Sequence, residues 1–177
     1  MSIEPIPVLI LNGTIGSGKS TIGMAIHEVL ISKDIPHAFL DLDQLTYSWP
    51  QKGPFNNDAM FESLSQLWPI YKAAGADRLV LARVIEQWDT LKQYEQALGP
   101  CTFTVVRLKA SEETRTSRIS KREFGDAFNW HLNRTVELET ILEKNGTSSF
   151  IIQNEGKTPE EVAMEVLNKA GWLYTIK

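Results

Sequence analysis

Little in this chain points away from an ordinary folded interior. Its 177 residues include one cysteine, Cys101, which excludes an internal disulfide and leaves no metal-ligand spacing built on sulfur. Beside a predicted strand, Cys101 is expected to be a buried apolar residue. No apolar run is long enough to cross a bilayer as a helix, which takes ~20 residues. No signal-peptide pattern opens the chain, so a reducing cytoplasm is the expected setting and no membrane partner is called for. The net charge is −4, without a long basic stretch, which argues against a general nucleic-acid binder. Repeats and low-complexity tracts are missing too. Charged residues at 23% and apolar residues at 42% are the proportions of a packed domain. The expectation is one domain over residues 1–177, a monomer or homodimer, with enough chain for a sizeable core.

The chain does contain Gly13-Thr14-Ile15-Gly16-Ser17-Gly18-Lys19-Ser20. This fits G-x-x-x-x-G-K-[ST], the P-loop, in which backbone N–H groups cradle phosphates while the lysine reaches the outer ones. Glycines at 13, 16 and 18 permit backbone conformations closed to residues with a Cβ, so successive amides can face one anion. Lys19 supplies a point charge, the Ser20 hydroxyl suits Mg²⁺, and Thr21 follows in the same turn. The flanks agree. Val8-Leu9-Ile10-Leu11 reads as a strand covered on both faces. Ile22, Ile26, Val29 and Leu30 recur at helical spacing, so the glycine turn opens a helix whose N-terminus favours anions.

Further along, His37 to Asp43 reads as a strand finishing in two aspartates. Trp49-Pro50 and Gly53-Pro54 mark a turn-rich connection. A helix is predicted from about Asp58 to Ala73, kinked or split by Pro69. Arg78–Ala82 is the third strand, and Asp89 is a candidate N-cap for a short helix ending at Leu98. Thr102–Leu108 is the fourth strand. Ser111 caps a helix with Glu112 and Glu113 in its first turn; after a break near Gly125 a longer helix runs to about Lys144. Phe150–Ile152 is the fifth strand, and Thr158-Pro159-Glu160-Glu161 opens the last helix with a capping box and proline at its first position. Alternating strands and helices make the class α/β with a central parallel sheet. Strand ends face the ligand crevice in such sheets, which puts Asp41 or Asp43, or both, near the glycine turn. The same carboxylates also suit capping whatever follows the strand.

The pattern of elements, with these motifs, resembles the P-loop kinase superfamily, which holds nucleotide, shikimate, gluconate and adenylylsulfate kinases. The resemblance implies a three-layer sandwich around a five-stranded parallel sheet in order 2-3-1-4-5. It also implies a helical lid at about 111–130 that closes when substrate binds. Leu40-Asp41-Leu42-Asp43-Gln44 is similar to the D-x-D of shikimate-kinase-like enzymes, which makes Asp41 a metal residue alongside Ser20 and Asp43 the residue orienting the acceptor hydroxyl. Val106-Arg107-Leu108-Lys109-Ala110-Ser111, followed by Arg115, Arg118 and Arg122, resembles the strand and lid arginines of the superfamily. Spacing i, i+3, i+7 sets the three on one face, with Arg118 and Arg122 the favoured phosphate ligands; a solvated basic face paired with Glu112, Glu113 and Glu123 is the other reading. Arg134 matches a post-lid arginine. The loop Asn154-Glu155-Gly156-Lys157-Thr158 resembles the segment bordering adenine, so Asn154 and Gly156 join the nucleotide-binding set. The third strand departs from the pattern, reading Leu81-Ala82-Arg83 where many P-loop enzymes carry an acid. Asp41 or Glu86 then completes the metal site, and Arg83 is free to read an anionic acceptor. Residues 79–86, with the glycine turn, also resemble tunicamycin-resistance-type P-loop proteins.

Three functions follow as expectations. The first is an ATP- and Mg²⁺-dependent kinase of a small molecule, with Lys19, Asp43, Arg118 and Arg122 catalytic and Arg83, Arg134 and Trp49 toward the acceptor. The second is a nucleotide switch or slow ATPase working through a protein partner, and the third a kinase of nucleic-acid ends. Trp49 and Phe55 are candidate walls of the acceptor pocket. Trp68, Trp88 and Trp172 are expected as core or half-buried anchors. His27, His37 and His131 have no partner at metal spacing and are expected to be structural or solvent-facing.

Overall fold

The computed structural model describes residues 4–51, 53–121 and 124–173. Its spine is one parallel sheet whose five strands are β1 (Ile6–Asn12), β2 (Ala38–Asp41), β3 (Leu79–Ala82), β4 (Cys101–Lys109) and β5 (Phe150–Gln153), in the order β2-β3-β1-β4-β5. Alternation along the central strand builds two cores. Val8 and Ile10 point to one face with Leu79 and Leu81, under α2 (Asn57–Ala73) and α3 (Leu91–Leu98). Leu9 and Leu11 point to the other, under α1 (Lys19–Ser32) and α6 (Pro159–Lys169). Each face is apolar because helices cover it, so β1 reads as an unbroken hydrophobic run rather than an alternating one.

The remaining helices, α4 (Glu112–Ser120) and α5 (Gly125–Asn145), follow β4. On β4, Val105, Arg107 and Lys109 share one face while Val106 and Leu108 join the α1/α6 core. The cations on that face are met by α5 (below). Capping follows the sequence: the Ser111 hydroxyl accepts from Thr114 N at the start of α4, and Thr158 with Glu161 forms the capping box of α6.

Several local expectations are corrected. Strand β2 stops at Asp41, and Leu42–Thr46 forms a 3₁₀ turn, so Asp43 lies beyond the strand. Buried Leu42 continues the apolar alternation and disguises the turn as strand. Pro69 does not split α2, which runs through it as one element with the proline on its exposed side. Asp89 caps nothing; it lies within a 3₁₀ turn, Trp88–Thr90, and pairs with Lys92 at 2.7 Å. Trp68 is buried, but Trp88 is 45% exposed rather than an anchor. Cys101 is half-buried, its thiol donating to the Gly99 carbonyl at 3.2 Å, and burial pushes it up to about 11.

Candidate functional site

The glycine turn sits at the C-terminal end of β1, held from beneath by Asn12. That side chain is fully buried and spends both ends: Nδ2 donates to the Ile85 and Thr147 carbonyls (3.0 and 2.9 Å), and Oδ1 accepts from the Gly13 and Ile85 amides (2.8 and 2.9 Å). One amide thereby ties the turn to the segments after β3 and α5. Nothing in the sequence marks Asn12, because its partners lie 73 and 135 residues away.

Two glycines show why the motif needs them. At Gly16, φ is +78°, and a Cβ would lie 3.0 Å from the Arg115 carbonyl and 3.2 Å from its Cα; the turn packs directly on the backbone of α4. At Gly18, φ is +97°, and a Cβ would meet Asn154 Nδ2 at 2.5 Å. Gly18 is also the N-cap of α1 and brings no side-chain cap, so the first-turn amides of Lys19, Ser20 and Thr21 lack intrahelical acceptors. Ile22 N, bonding Gly18 O at 2.9 Å, begins the ladder. An uncapped helix start behind a ring of glycine amides is the arrangement that takes a phosphate. Lys19 Nζ donates to the Gly13 and Thr14 carbonyls at 2.9 and 3.0 Å, folded across the turn of Thr14, Ile15 and Gly16. Ser17 Oγ is buried without a protein partner, whereas Ser20 is an exposed residue. These residues fit a polyphosphate.

Arg118, on α4, extends over the turn: Nη1 donates to the Gly16 carbonyl at 3.1 Å and Nη2 reaches the Asn154 carbonyl at 3.5 Å. Asn154 is buried and donates Nδ2 to the Ser17 carbonyl at 2.7 Å. Its side chain therefore braces the turn, while its own amide donates to the Lys109 carbonyl at 2.8 Å and its carbonyl meets Arg118. Gly156 is an exposed left-handed turn residue, φ +67°. Glu155 reaches back to α4, accepting from the Ser111 hydroxyl at 2.5 Å and from Thr114, and these bonds lower its carboxyl below the usual range, Ser111 most. Arg122 lies outside the described residues.

Arg115 does not join Arg118. It is buried, with Nη1 on the Ala110 carbonyl at 3.1 Å and on Glu139 of α5 at 2.8 Å. Glu139 also takes Arg107 at 2.8 Å and Lys109 at 3.5 Å, so three cations share one carboxylate and α4 is locked to β4 and α5. The three arginines therefore do not share one face: Arg115 turns inward, neither solvated nor near the turn, while Arg118 lies over the turn.

On the opposite side of the sheet's C-terminal edge, Asp41 pairs in register with Ala82, which itself lies beside Leu11. Asp41 Oδ1 accepts from Asp43 N at 3.2 Å, capping the 3₁₀ turn, so the capping alternative holds for that residue. Asp43 is exposed and pairs with Arg83 at the end of β3, while Arg83 Nη2 donates to Asn57 at 2.8 Å. Glu86 does not reach back to the glycine turn; it pairs with Arg134, which also holds Glu137 at 2.7 Å and lies 5.6 Å above the Phe55 ring. Trp49 is 90% exposed. Among the described residues no three His, Cys, Asp or Glu side chains gather as a metal site. Mg²⁺ is commonly held by one or two protein oxygens plus phosphates and water, and the hydroxyl of an exposed serine with one carboxylate matches that donor set.

No family model and no curated protein matches this chain. Solved structures do. The tunicamycin resistance protein of Deinococcus radiodurans superposes with a TM-score of 0.62 at 15% identity, over 94% of this chain and 96% of that one. A sugar kinase from Janibacter gives 0.61 at 16%, over 96% of each. Shikimate kinase from Aquifex aeolicus gives 0.57 at 22%, over 93% and 96%. The fold is that of the P-loop kinases. Within the P-loop kinase fold the described residues also contain no helix long and apolar enough to cross a membrane. Of the histidines, His27 and His37 pair with each other, which spacing alone concealed (N···N 2.8 Å).

Proposed function

We propose that this protein is an ATP-dependent kinase of a small molecule, moving the γ-phosphoryl group to a hydroxyl or phosphate oxygen with Mg²⁺. The observation that carries the reading is the sharing of one sheet edge by two unlike halves. A glycine cradle with Lys19 closes β1, and an exposed carboxylate beside a guanidinium closes β2 and β3. Phosphoryl transfer asks for little covalent work, only for positioned charge and an oriented nucleophile.

In this reading residues 13–21 hold the phosphates through the amides not already spent within the turn, as those of Gly13 and Ser17 are, with Lys19 and Arg118 on the group being transferred and the same role assigned to Arg122 from the resemblance. Backbone of Asn154 and Gly156 borders the base, and residues 111–130 cover the phosphates and exclude water. Ser20 and Asp41 are the residues that would hold Mg²⁺, which when bound neutralises phosphate charge. Asp43 accepts the proton of the acceptor oxygen as that oxygen bonds to the γ-phosphorus; the bond to the bridging oxygen breaks and ADP leaves with the electron pair. Arg83, Arg134 and Trp49 face the acceptor. Neighbours of this fold with kinase names, among them an APS kinase from Mycobacterium tuberculosis in complex with AMPPNP and APS (20% identity, TM-score 0.56), support the reading.

The test is ADP release from ATP across nucleosides, nucleotides, sugars and sugar acids, with Asp43→Asn as control. Acceptor-stimulated turnover that collapses in Asp43→Asn is expected. Turnover unchanged in that variant removes the base assignment. Turnover only with a protein partner, or only with DNA or RNA ends, replaces the small-molecule reading.

A further inference from the structure

The end of the sheet away from the glycine turn holds a side-chain pair that phosphate chemistry does not use. His27 lies near the middle of α1 and His37 just before β2, so two different elements bring them together. Both are half-buried, and their rings meet edge-on with centroids 4.9 Å apart and planes at 65°. His27 Nδ1 and His37 Nε2 face each other across 2.8 Å.

The surroundings hold this geometry. Ile35 N bonds the Leu30 carbonyl at 3.0 Å and Ala38 N bonds the Arg78 carbonyl at 3.1 Å, so the chain is pinned on either side of His37. Gly23 fixes α1 against β2, since a Cβ there would lie 2.3 Å from the Phe39 ring. His37 Nδ1 is 2.7 Å from the Ile35 carbonyl, an oxygen that only accepts, so Nδ1 carries the proton and Nε2 presents its lone pair. Metal-bound histidines are oriented in this way, with the second ring nitrogen donated to a carbonyl that fixes tautomer and ring plane. The ring is also kept neutral. Burial lowers the His37 pKa most, the Ile35 bond opposes it, His27 and Arg78 lower it further and Asp77 raises it. A neutral imidazole is a ligand, whereas a protonated one is not.

From this we infer that His27 and His37 form a surface site for one divalent transition-metal ion of the zinc and copper class, bound through His27 Nδ1 and His37 Nε2. Two nitrogens on one tetrahedral zinc, each at about 2.0–2.1 Å, stand about 3.3 Å apart, so the rings part by roughly half an ångström to admit the ion. The proton on His27 Nδ1 passes through solvent to Nε2 of the same ring, which stays neutral. One hydrogen bond is exchanged for two metal–nitrogen bonds. No third His, Cys, Asp or Glu joins them among the described residues, so water fills the remaining positions. Two nitrogen donors suit zinc and copper and not Mg²⁺, which takes oxygen. The bound ion clips α1 to the start of β2 and stabilises the folded chain by mass action. The site stands apart from the kinase reading and survives or fails without it.

The experiment uses the full-length protein, stripped with a chelator and free of nucleotide. Calorimetry with Zn²⁺ at pH 7.5 should show one ion per chain and a raised thermal unfolding midpoint; Mg²⁺ should give no shift. His27→Gln and His37→Gln should each weaken Zn²⁺ binding at least tenfold and abolish the shift. With Cu²⁺ as the probe, the paramagnetic resonance spectrum should show coupling to two imidazole nitrogens in the wild type and to one in either variant, a signature that a merely structural pair would not give. Affinity should fall at pH 5.5, where protons compete for both rings. Zn²⁺ binding unchanged in either variant, a Cu²⁺ spectrum without two-nitrogen coupling, or no binding at all overturns the site. A stoichiometry of one ion per two chains overturns it as well, because a second copy would then supply ligands assigned here to water.

Discussion

The two halves of the proposed site are built from different materials. Around the glycine turn, hydrogen bonds to uncharged acceptors dominate: Asn12 beneath, Asn154 behind, Lys19 folded on two carbonyls, and Gly16 pressed against the backbone of α4. Across the edge, ion pairs and exposed aromatic rings dominate: Asp43–Arg83, Glu86–Arg134, Phe55 and Trp49. The first half is shaped to one chemical group and tolerates no extra atom. The second is held at its base and open at its rim, which suits a half whose ligand differs from one enzyme of a fold to the next.

Removing the charge at each half separates them most sharply. Lys19→Ala should lower kcat/KM for ATP by about 10³-fold, roughly 4 kcal/mol of transition-state stabilisation, and weaken nucleotide binding measured by calorimetry. Asp43→Asn should cost about 10²-fold or more in kcat, the usual contribution of a proton acceptor, with nucleotide affinity unchanged. If both variants lose nucleotide affinity alike, the site is one unit and the contrast fails.

Next comes Glu139, which ties α4 to β4 on the side of β1 away from Asp43 and Arg83. Glu139→Ala leaves Arg115 and Arg107 buried with their main carboxylate gone; Arg107 keeps Glu143 at 3.2 Å. Breaking a buried pair typically costs about 3–5 kcal/mol, and about 3 kcal/mol is expected here from urea unfolding. Because α4 backs onto Gly16, nucleotide affinity should fall in the same variant while acceptor preference stays. A loss below about 1 kcal/mol would mean that α4 is held by packing alone.

A pair of small changes probes rigidity directly. Gly18→Ala forces a side chain onto a left-handed residue and into Asn154, and should destabilise by about 2 kcal/mol. Trp49→Ala removes a large ring that is 90% exposed and should change stability by less than about 0.5 kcal/mol, while raising the KM of the acceptor. Equal destabilisation would show that the rim of the acceptor half is packed after all.

The same contrast sets what could be read in advance. The glycine turn and the caps of α4 and α6 are local signals, each carried by residues a few positions apart, and the structure has them where the sequence puts them; the sheet order is legible only through the family resemblance. The acceptor half is assembled at long range. Arg83 meets Asp43 across 40 residues and Arg134 meets Glu86 across 48, and no spacing rule reports such pairs. Asn57, which accepts from Arg83, carries no motif, and the left-handed Phe55 and Asn56 cannot be told from ordinary loop residues. A signal was present for Arg115: on an amphipathic helix, i and i+4 bury together, and Ile119 is fully buried. Asp43 was placed one element too early because alternation does not stop where a strand becomes a 3₁₀ turn.

The smallest effect belongs to the far edge of the sheet and serves as the control for both halves. His37 precedes β2, so it lies at the opposite end of the strand from Asp41. Its Nδ1 is 2.7 Å from the Ile35 carbonyl, which can only accept, so that nitrogen carries the proton and Nε2 is left to accept from His27 Nδ1. Burial lowers the His37 pKa below 6.5, opposed by the Ile35 bond and Asp77 and assisted by His27 and Arg78. A second proton on His37 takes away the acceptor that His27 needs. The unfolded chain binds that proton more readily than the folded one, so this contribution is complete above pH 6.5 and is lost as the pH falls through the depressed folded value. Unfolding midpoints measured downward from pH 7 should drop more steeply in the wild type than in His37→Gln. Turnover normalised to folded protein should not differ between the two over the same window, because neither half of the site touches this pair. A kinetic difference there would mean that α1, which carries both His27 and the amides behind Lys19, transmits the change along its length.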